Sequence, residues 1–354
     1  MMSFIIYGAS GYTGRLTAEW AAKLGLNPTL AGRNLEKIKP LAERLGFPYL
    51  IFSLENPEEI DKSLEGFQVV LHCAGPFKFT AKPMMQACLR TKTHYLDITG
   101  EIEIFEYAQY LSDKAKKAGV MLMPGVGFDV IPTDCLALYL KKQLPDAEFL
   151  ELGFMGIGPA GWSVGTASTA VVNIDKGSAH RKNGKIEVVP TGHKTRWIPF
   201  KDKKLFFVSI PWGDVSTAYY STNIPNITTY TGMKPAQYNF VKRQKYFNWL
   251  LSMPFVKRIA LNRLKRGPAG PSDEEREISA TFVWGEVKNA AGKSHRATLM
   301  TPNGYTLTAK ASLITVQRVL SGKFTVGAQT PAGVYGEDLV MEVEGVSRDN
   351  EVEF

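Results

Sequence analysis

The feature that most constrains this chain is a glycine triplet, Gly8, Gly11 and Gly14 in IIYGASGYTG, set directly behind an apolar run that starts at Phe4. Residues 4–7 fit a buried parallel strand. Leu16, Trp20 and Leu24 recur every four residues over 13–24, which is helical spacing. Glycines between the first strand and first helix of a βαβ unit point to a phosphate lying on bare backbone N–H groups, at the positive end of a helix dipole. In that reading Gly8 allows the tight turn and Gly11 removes a side chain that would hold phosphate away. Gly14 lets the helix pack closely on the strand, and Ala9, Ser10, Tyr12 and Thr13 complete the loop. The spacing is G-x-x-G-x-x-G, a triplet that an ordinary glycine-rich turn can also carry, so the context decides.

That context is regular. Strands are expected over 4–7, 28–31, 49–52, 68–72, 94–97 and 120–123, and helices over 13–24, 34–45, 56–64, 83–90 and 103–117. Six strands alternating with helices require right-handed crossovers and a parallel sheet covered on both faces. This predicts an α/β fold, a Rossmann doubly wound parallel sheet, over 1–128. After Pro124 the alternation ends. A helix is expected over 134–143, strands over 148–154, 185–189, 205–210, 215–221, 278–283 and 295–300, and helices near 164–174 and 305–319. This is the make-up of a second α+β domain, 129–330, for substrate and dimerisation, with an acidic segment, 331–354, folding back as a strand over 339–344. Residues 129–132 would be the hinge, and the cleft between domains the default ligand site.

The end of the second strand selects the cofactor. NAD-binding chains place an acid there for the ribose hydroxyls, whereas this chain reads Ala31-Gly32-Arg33-Asn34 with no acid until Glu36. Arg33 can pair its planar fork with a 2′-phosphate, and Asn34 can cap the next helix and offer a further donor, so NADP(H) is expected. A solvated arginine at a strand end is the plainer alternative. At the same carboxyl edge, Cys73-Ala74-Gly75-Pro76-Phe77 would let backbone approach the nicotinamide ribose, with Pro76 and Phe77 walling the ring. Asp97, Glu101 and Asp129 are the candidate catalytic acids, and each can instead be a helix cap. Tyr95, His94 and His72 are further candidates, but they sit in or beside buried strands, where aromatics are usually core. No Y-x-x-x-K stands after the fifth strand. No metal is expected, since His72, His94, His180, His193 and His295 show no ligand spacing.

The motifs GASGYTG, AGRN, CAGPF, HYLDITGE and PGVGFDVIPTD (124–134) occur in an order that resembles the saccharopine dehydrogenase-like oxidoreductases, in the branch that contains trans-acting enoyl reductases. The stretches GPAGPSDEER (267–276), VWGE (283–286) and TPA (330–332) are similar too, so the likeness covers most of the chain. It implies an NADP(H)-dependent oxidoreductase with a Rossmann domain and an α+β second domain. The implied chemistry is hydride transfer to a C=C bond of an enoyl, lipid or polyketide-like substrate, or to a C=N bond.

Charge adds one local feature. The net charge is +8, yet residues 241–268 hold eight basic side chains and no acid, and the rest of the chain holds 34 of each sign. KRQKYFNWLLSMPFVKRIALNRLKR mixes cations with Phe247, Trp249, Leu250, Phe255 and Ile259. Residues 241–266 can therefore contact an anionic membrane surface, admit an acylated small-molecule substrate, or pack internally or against a subunit with a solvated basic face. The small, hydroxyl-rich run 160–170 around Trp162 fits either a pocket lining or close helix packing. So local a charge, without a recognisable motif, argues against nucleic acid. MMSFIIYG lacks a leader pattern, and Cys73, Cys88 and Cys135 read as reduced thiols, so a cytoplasmic protein, peripheral on membranes at most, is expected. A homodimer is expected from the exposed domain edge. Besides the enoyl or imine reductase, two rivals stand: an NADP(H)-binding membrane- or lipid-associated scaffold or sensor without turnover, and a saccharopine-type amino-acid dehydrogenase. No clear paired-arginine site for a dicarboxylate is evident for the latter.

Overall fold

A computed structural model of the chain describes residues 3–173, 175–243, 246, 248–264 and 266–351. They divide into two compact units. One runs to Ile131 and takes in Tyr305–Tyr335; the other is Pro132–Gly304 with the residues from Gly336 onward.

The first unit contains β1 (Phe4–Tyr7), β2 (Thr29–Gly32), β3 (Tyr49–Ile51), β4 (Val69–His72), β5 (His94–Asp97) and β6 (Met121–Met123). All pair in parallel, in the order β6-β5-β4-β1-β2-β3, with a two-residue strand, Gly327–Ala328, added beside β6. β1 lies between β2 and β4, so the direction of winding reverses there; ligands of such sheets bind at the carboxyl edge of that switch point. The alternation of strand faces packs Ile5, Tyr7, Val70, Tyr95 and Leu122 against Met84, Met85, Cys88, Ile104 and Ala108 from the helices on that side.

Two helices differ from expectation. The one expected over 83–90 starts at Phe77 and carries Pro83 inside it. Its first amides have a carboxylate from the next loop: Glu101 accepts from the N–H of Phe77 (2.9 Å) and Lys78 (3.0 Å). The helix expected over 103–117 is two, Ile102–Tyr110 and Ser112–Ala118, broken at buried Leu111, whose amide bonds to both Tyr107 and Ala108 carbonyls.

The second unit contains β7 (Phe149–Ile157), β8 (Ser178–Lys182), β9 (Lys185–Val189), β10 (Thr195–Phe200), β11 (Lys203–Ile210), β12 (Asn226–Gly232), β13 (Ala280–Lys288) and β14 (Ser294–Pro302), and closes with Ser347–Glu351. The main order is β10-β11-β12-β7-β13-β14 and then the last strand, with β8 and β9 attached through β12. β12 and β7 are parallel and the other pairs antiparallel. β10 and β13 stand four places apart, about 19 Å in a flat sheet. Yet Phe200 and Phe282 have ring centroids 4.7 Å apart, and Arg196 reaches Glu286 at 2.9 Å. The sheet therefore curls over its own face, enclosing Ile198, Phe207, Tyr230, Phe282 and Trp284. Helix Ile131–Gln143 covers the other face through Leu136 and Leu140, where Gly285 leaves room.

Three expectations for this half are corrected. The strand over 215–221 is a helix, Asp214–Thr222: Val215, Ala218 and Thr222 are buried at helical spacing, and Asn223 ends it in the left-handed region. Residues 339–344 are not a strand. Leu339 and Val340 are both buried, which a one-sided strand forbids, and they form a 3₁₀ turn, Leu339–Glu342; the strand of this segment is Ser347–Glu351. Finally, residues 305–330 were expected in the second domain and 331–335 in the acidic segment; both belong to the first unit, because Gly327–Ala328 extends its sheet and Tyr305 packs edge-on against Tyr12 at 5.1 Å.

Candidate cofactor site and its carboxyl cluster

At the switch point the three glycines do different things. Gly8 has φ +85°, and a Cβ there would stand 2.7 Å from the Ala74 amide nitrogen, so the loops after β1 and β4 touch backbone to backbone. A Cβ at Gly14 would stand 2.3 Å from the Gly8 carbonyl oxygen, so the helix Tyr12–Lys23 can approach β1 only with glycine there. Gly11 has an ordinary φ of −72°, and its added carbon would meet just one atom, at 3.3 Å. The fold needs Gly8 and Gly14 bare, and Gly11 much less so. Gly14→Ala is expected to lower stability by about 3 kcal/mol. Gly11→Ala is expected to lower the melting temperature far less than Gly14→Ala and to weaken NADPH binding. Thermal melts of both variants, with and without NADPH, check this pair.

Helix Tyr12–Lys23 begins without a side-chain cap and without an acid in its first turn. The next two helices are capped by Asn34, which accepts from the Lys37 N–H (3.2 Å), and Asn56, which accepts from the Glu58 N–H (3.0 Å). A helix start without a side-chain cap or an acid presents the positive end of its dipole to an anion. Ser10 and Gly11 are exposed there and Ala9 is buried. Thr13 is partly exposed, and its carbonyl accepts from Thr17. Arg33, at the end of β2, is exposed and makes no hydrogen bond or ion pair among the described residues. Its charge reaches the Tyr7 hydroxyl, whose burial still pushes its pKa up to about 12. Asn34 accepts with its oxygen in the cap and keeps only its NH₂ as a donor.

The loop after β4 has its backbone near the surface and its aromatic side chain inside. Ala74, Gly75 and Pro76 are at or near the surface, so backbone can be approached there, while Cys73 is buried. Phe77 does not wall a ligand. Its side chain is core, set edge-on against His72 at 5.4 Å, and only its amide serves the loop, through Glu101.

Three carboxyl groups meet beyond β5. Asp97 is fully buried: one oxygen accepts from the Thr99 and Gly125 N–H groups (2.9 Å each), the other from the Tyr95 hydroxyl (2.6 Å). It ties the ends of β5 and β6 together and offers no face to a substrate, so its expected catalytic role is corrected to a structural one. Glu101 is likewise engaged as the cap of the helix from Phe77. Asp129 differs. It is recessed yet still partly exposed, and its carboxyl makes no hydrogen bond among the described residues. Burial, then the charges of Glu101 and Asp97, raise its pKa to about 7. Asp97 is also raised to about 7 by burial, against the pull of its three donors. Gly100 makes the room: a Cβ there would stand 2.8 Å from Asp129 Oδ2. Asp129 thus holds a proton near neutrality at the edge where the chemistry of a doubly wound sheet takes place.

The histidine candidates fall away. His72 is buried beside Tyr7 and Phe77, bonds Thr80 at 3.0 Å, and burial pulls its pKa down to about 3. His94 accepts from the Met121 N–H at 3.0 Å, and the Tyr95 hydroxyl is spent on Asp97. No group of three or more His, Cys, Asp or Glu able to hold a metal occurs among the described residues. The sequence reading missed the supporting residues. Gly100 and Gly125 carry the turn, and Thr308 Oγ1 accepts from the Phe128 N–H at 2.9 Å, next to Asp129. GVGFD holds the glycine signal, but nothing in the sequence joins it to a threonine 180 residues on.

Comparison with known proteins agrees with this geometry. Residues 4–123 match the family described as saccharopine dehydrogenase NADP binding domain. The chain is 30% identical over 239 residues to the saccharopine dehydrogenase-like oxidoreductase of Mus musculus, covering 59% of this chain and 56% of that protein. It is 30% identical over 183 residues to the trans-acting enoyl reductase of Mycobacterium bovis, covering 47% of this chain and 44% of that one. The chain thus spans about half the length of the curated relatives it matches. A solved structure, apo saccharopine dehydrogenase (L-Glu forming) from Saccharomyces cerevisiae, shares the fold with TM-score 0.70 and 14% identity, covering 99% of this chain and all of that one. Residues 4–123, which carry the uncapped helix and Arg33, are thus similar to the saccharopine dehydrogenase NADP binding domain.

Proposed function

We propose that this protein is an NADP(H)-dependent oxidoreductase that reduces a C=C bond conjugated to a carbonyl, as in an enoyl thioester. The observation that carries the reading is the bare, uncapped start of helix Tyr12–Lys23 at the switch point. In this assignment the first-turn amides take the pyrophosphate, and the unpaired Arg33 of the adjoining strand takes the 2′-phosphate. When bound, NADPH would supply the hydride. The chain's own residues would do the rest. Glu101, by fixing the Phe77 and Lys78 amides, holds the loop 73–77 in shape. Asp129, protonated up to about pH 7, gives its proton to the carbon α to the carbonyl.

The single acid fits a conjugated C=C bond, in which hydride adds to the β-carbon and the proton from Asp129 to the α-carbon. The arginines also weigh against a saccharopine-type dicarboxylate. Arg196 and Arg296 are paired with Glu286, Arg196 also with Glu151, and Arg181 donates to the Val215 and Gly184 carbonyls. The test is NADPH consumption by the purified chain with trans-2-enoyl thioesters, cyclic imines and saccharopine in parallel. Turnover of the thioesters alone supports the reading. Turnover of imines alone moves it to C=N, and binding of NADPH without any turnover leaves the scaffold reading.

A further inference from the structure

Part of the second unit carries an apolar surface that the fold does not bury. Helices Val164–Asn173 and Pro254–Leu264 have no buried residue. Tyr246 is 67%, Trp249 65%, Phe255 58% and Ile259 63% exposed. Phe255 and Ile259 lie one helical turn apart on the exposed side, with Arg258 and Arg263 on the same side. Lys242, Arg243, Arg258, Arg263 and Arg266 are exposed and make no ion pair among the described residues. Among the described cations of the stretch, Lys257 alone faces inward, bonding Asp175 (2.6 Å) and the Val172 carbonyl (3.0 Å), which ties helix Pro254–Leu264 to the end of helix Val164–Asn173. Lys245, Phe247 and Lys265 of the same stretch lie outside the described residues.

We propose that the described residues of this stretch, with Trp249, Phe255, Ile259, Arg258 and Arg263 at their centre, form a docking surface for an anionic phospholipid membrane. Two observations choose this occupant. Exposed indole, phenyl and branched aliphatic groups interleaved with cations match the chemistry of a bilayer interface, where rings enter the acyl boundary and cations stay at the headgroups. A second copy of the chain would bring two basic patches face to face with no acid in the stretch to offset them, which is unfavourable. The contact is peripheral, because no helix of the described residues is long and apolar enough to cross a membrane. It stands independently of the reductase reading.

The experiment is sedimentation of the full chain with vesicles of equimolar phosphatidylglycerol and phosphatidylcholine, and with phosphatidylcholine alone. Binding is expected to the anionic vesicles and to weaken as salt rises. Arg258→Ala with Arg263→Ala should lower partitioning about 25-fold, about fivefold per charge. Trp249→Ala with Phe255→Ala should lower it about tenfold. Both pairs are exposed, so melting temperature and NADPH affinity should not change. The proposal is overturned by absence of binding, by equal binding to neutral vesicles, or by unchanged binding of the variants. It is also overturned by a concentration-dependent dimer that the Trp249/Phe255 pair abolishes, which would assign the patch to a second copy.

Discussion

Replacing Asp129 with asparagine is expected to lower turnover by about 100- to 10,000-fold, the usual worth of a positioned general acid. Asparagine keeps the shape that Gly100 accommodates and cannot release a proton. For the wild type, the reduction rate should hold on the acid side and fall as pH rises through about 7, where Asp129 ionises; the variant should lose that limb. Stability should fall over the same pH range. A carboxyl whose folded pKa is raised binds its proton more tightly in the native state. Its contribution is therefore fully present below the unfolded value of about 3.9 and is lost as pH climbs through about 7. At about pH 8 the ionised carboxylate faces Glu101 and Asp97, and Asp129→Asn should melt no lower than wild type while it turns over far more slowly. Steady-state rates and thermal melts at about pH 6 and pH 8 check both halves. Full activity in the variant, or an unchanged pH limb, would remove Asp129 from the chemistry.

Arg33→Ala should weaken NADPH binding about 10- to 100-fold and leave NADH binding unchanged, since charged hydrogen bonds to the 2′-phosphate are worth about 1.5–3 kcal/mol. Arg33 is exposed and supports no other group by hydrogen bond or ion pair, so the fold should be indifferent to the change. Fluorescence titrations with the two nucleotides measure this. Equal loss for both would mean that Arg33 acts on something other than the 2′-phosphate.

The first unit was legible because its signals are local and repeated. Each strand of residues 4–123 is a short apolar run, and the glycines sit at a fixed offset from the first. The site was half legible. Arg33 and the glycines announce themselves by position, but separating Asp129 from Asp97 and Glu101 depends on which amides each carboxylate reaches, and those amides come from other loops. Phe77 was misread because an aromatic after a strand can face ligand or core, and His72 decides it here.

The second unit resisted for other reasons. β10 carries Pro199, β12 reads NITTYTG, and Gly327–Ala328 is too short for any periodicity. Residues 215–221 are rich in β-formers, and burial at positions 215, 218 and 222 overrode that preference.

The most direct test of nucleotide binding at the bare helix start is hydrogen–deuterium exchange of the whole chain with and without NADPH. Slowed exchange at the amides of residues 9–15, around Arg33 and at residues 74–78 is the expected result. Saturating NADPH that leaves the amides of Thr13, Gly14 and Arg15 exchanging as fast as in its absence would contradict it.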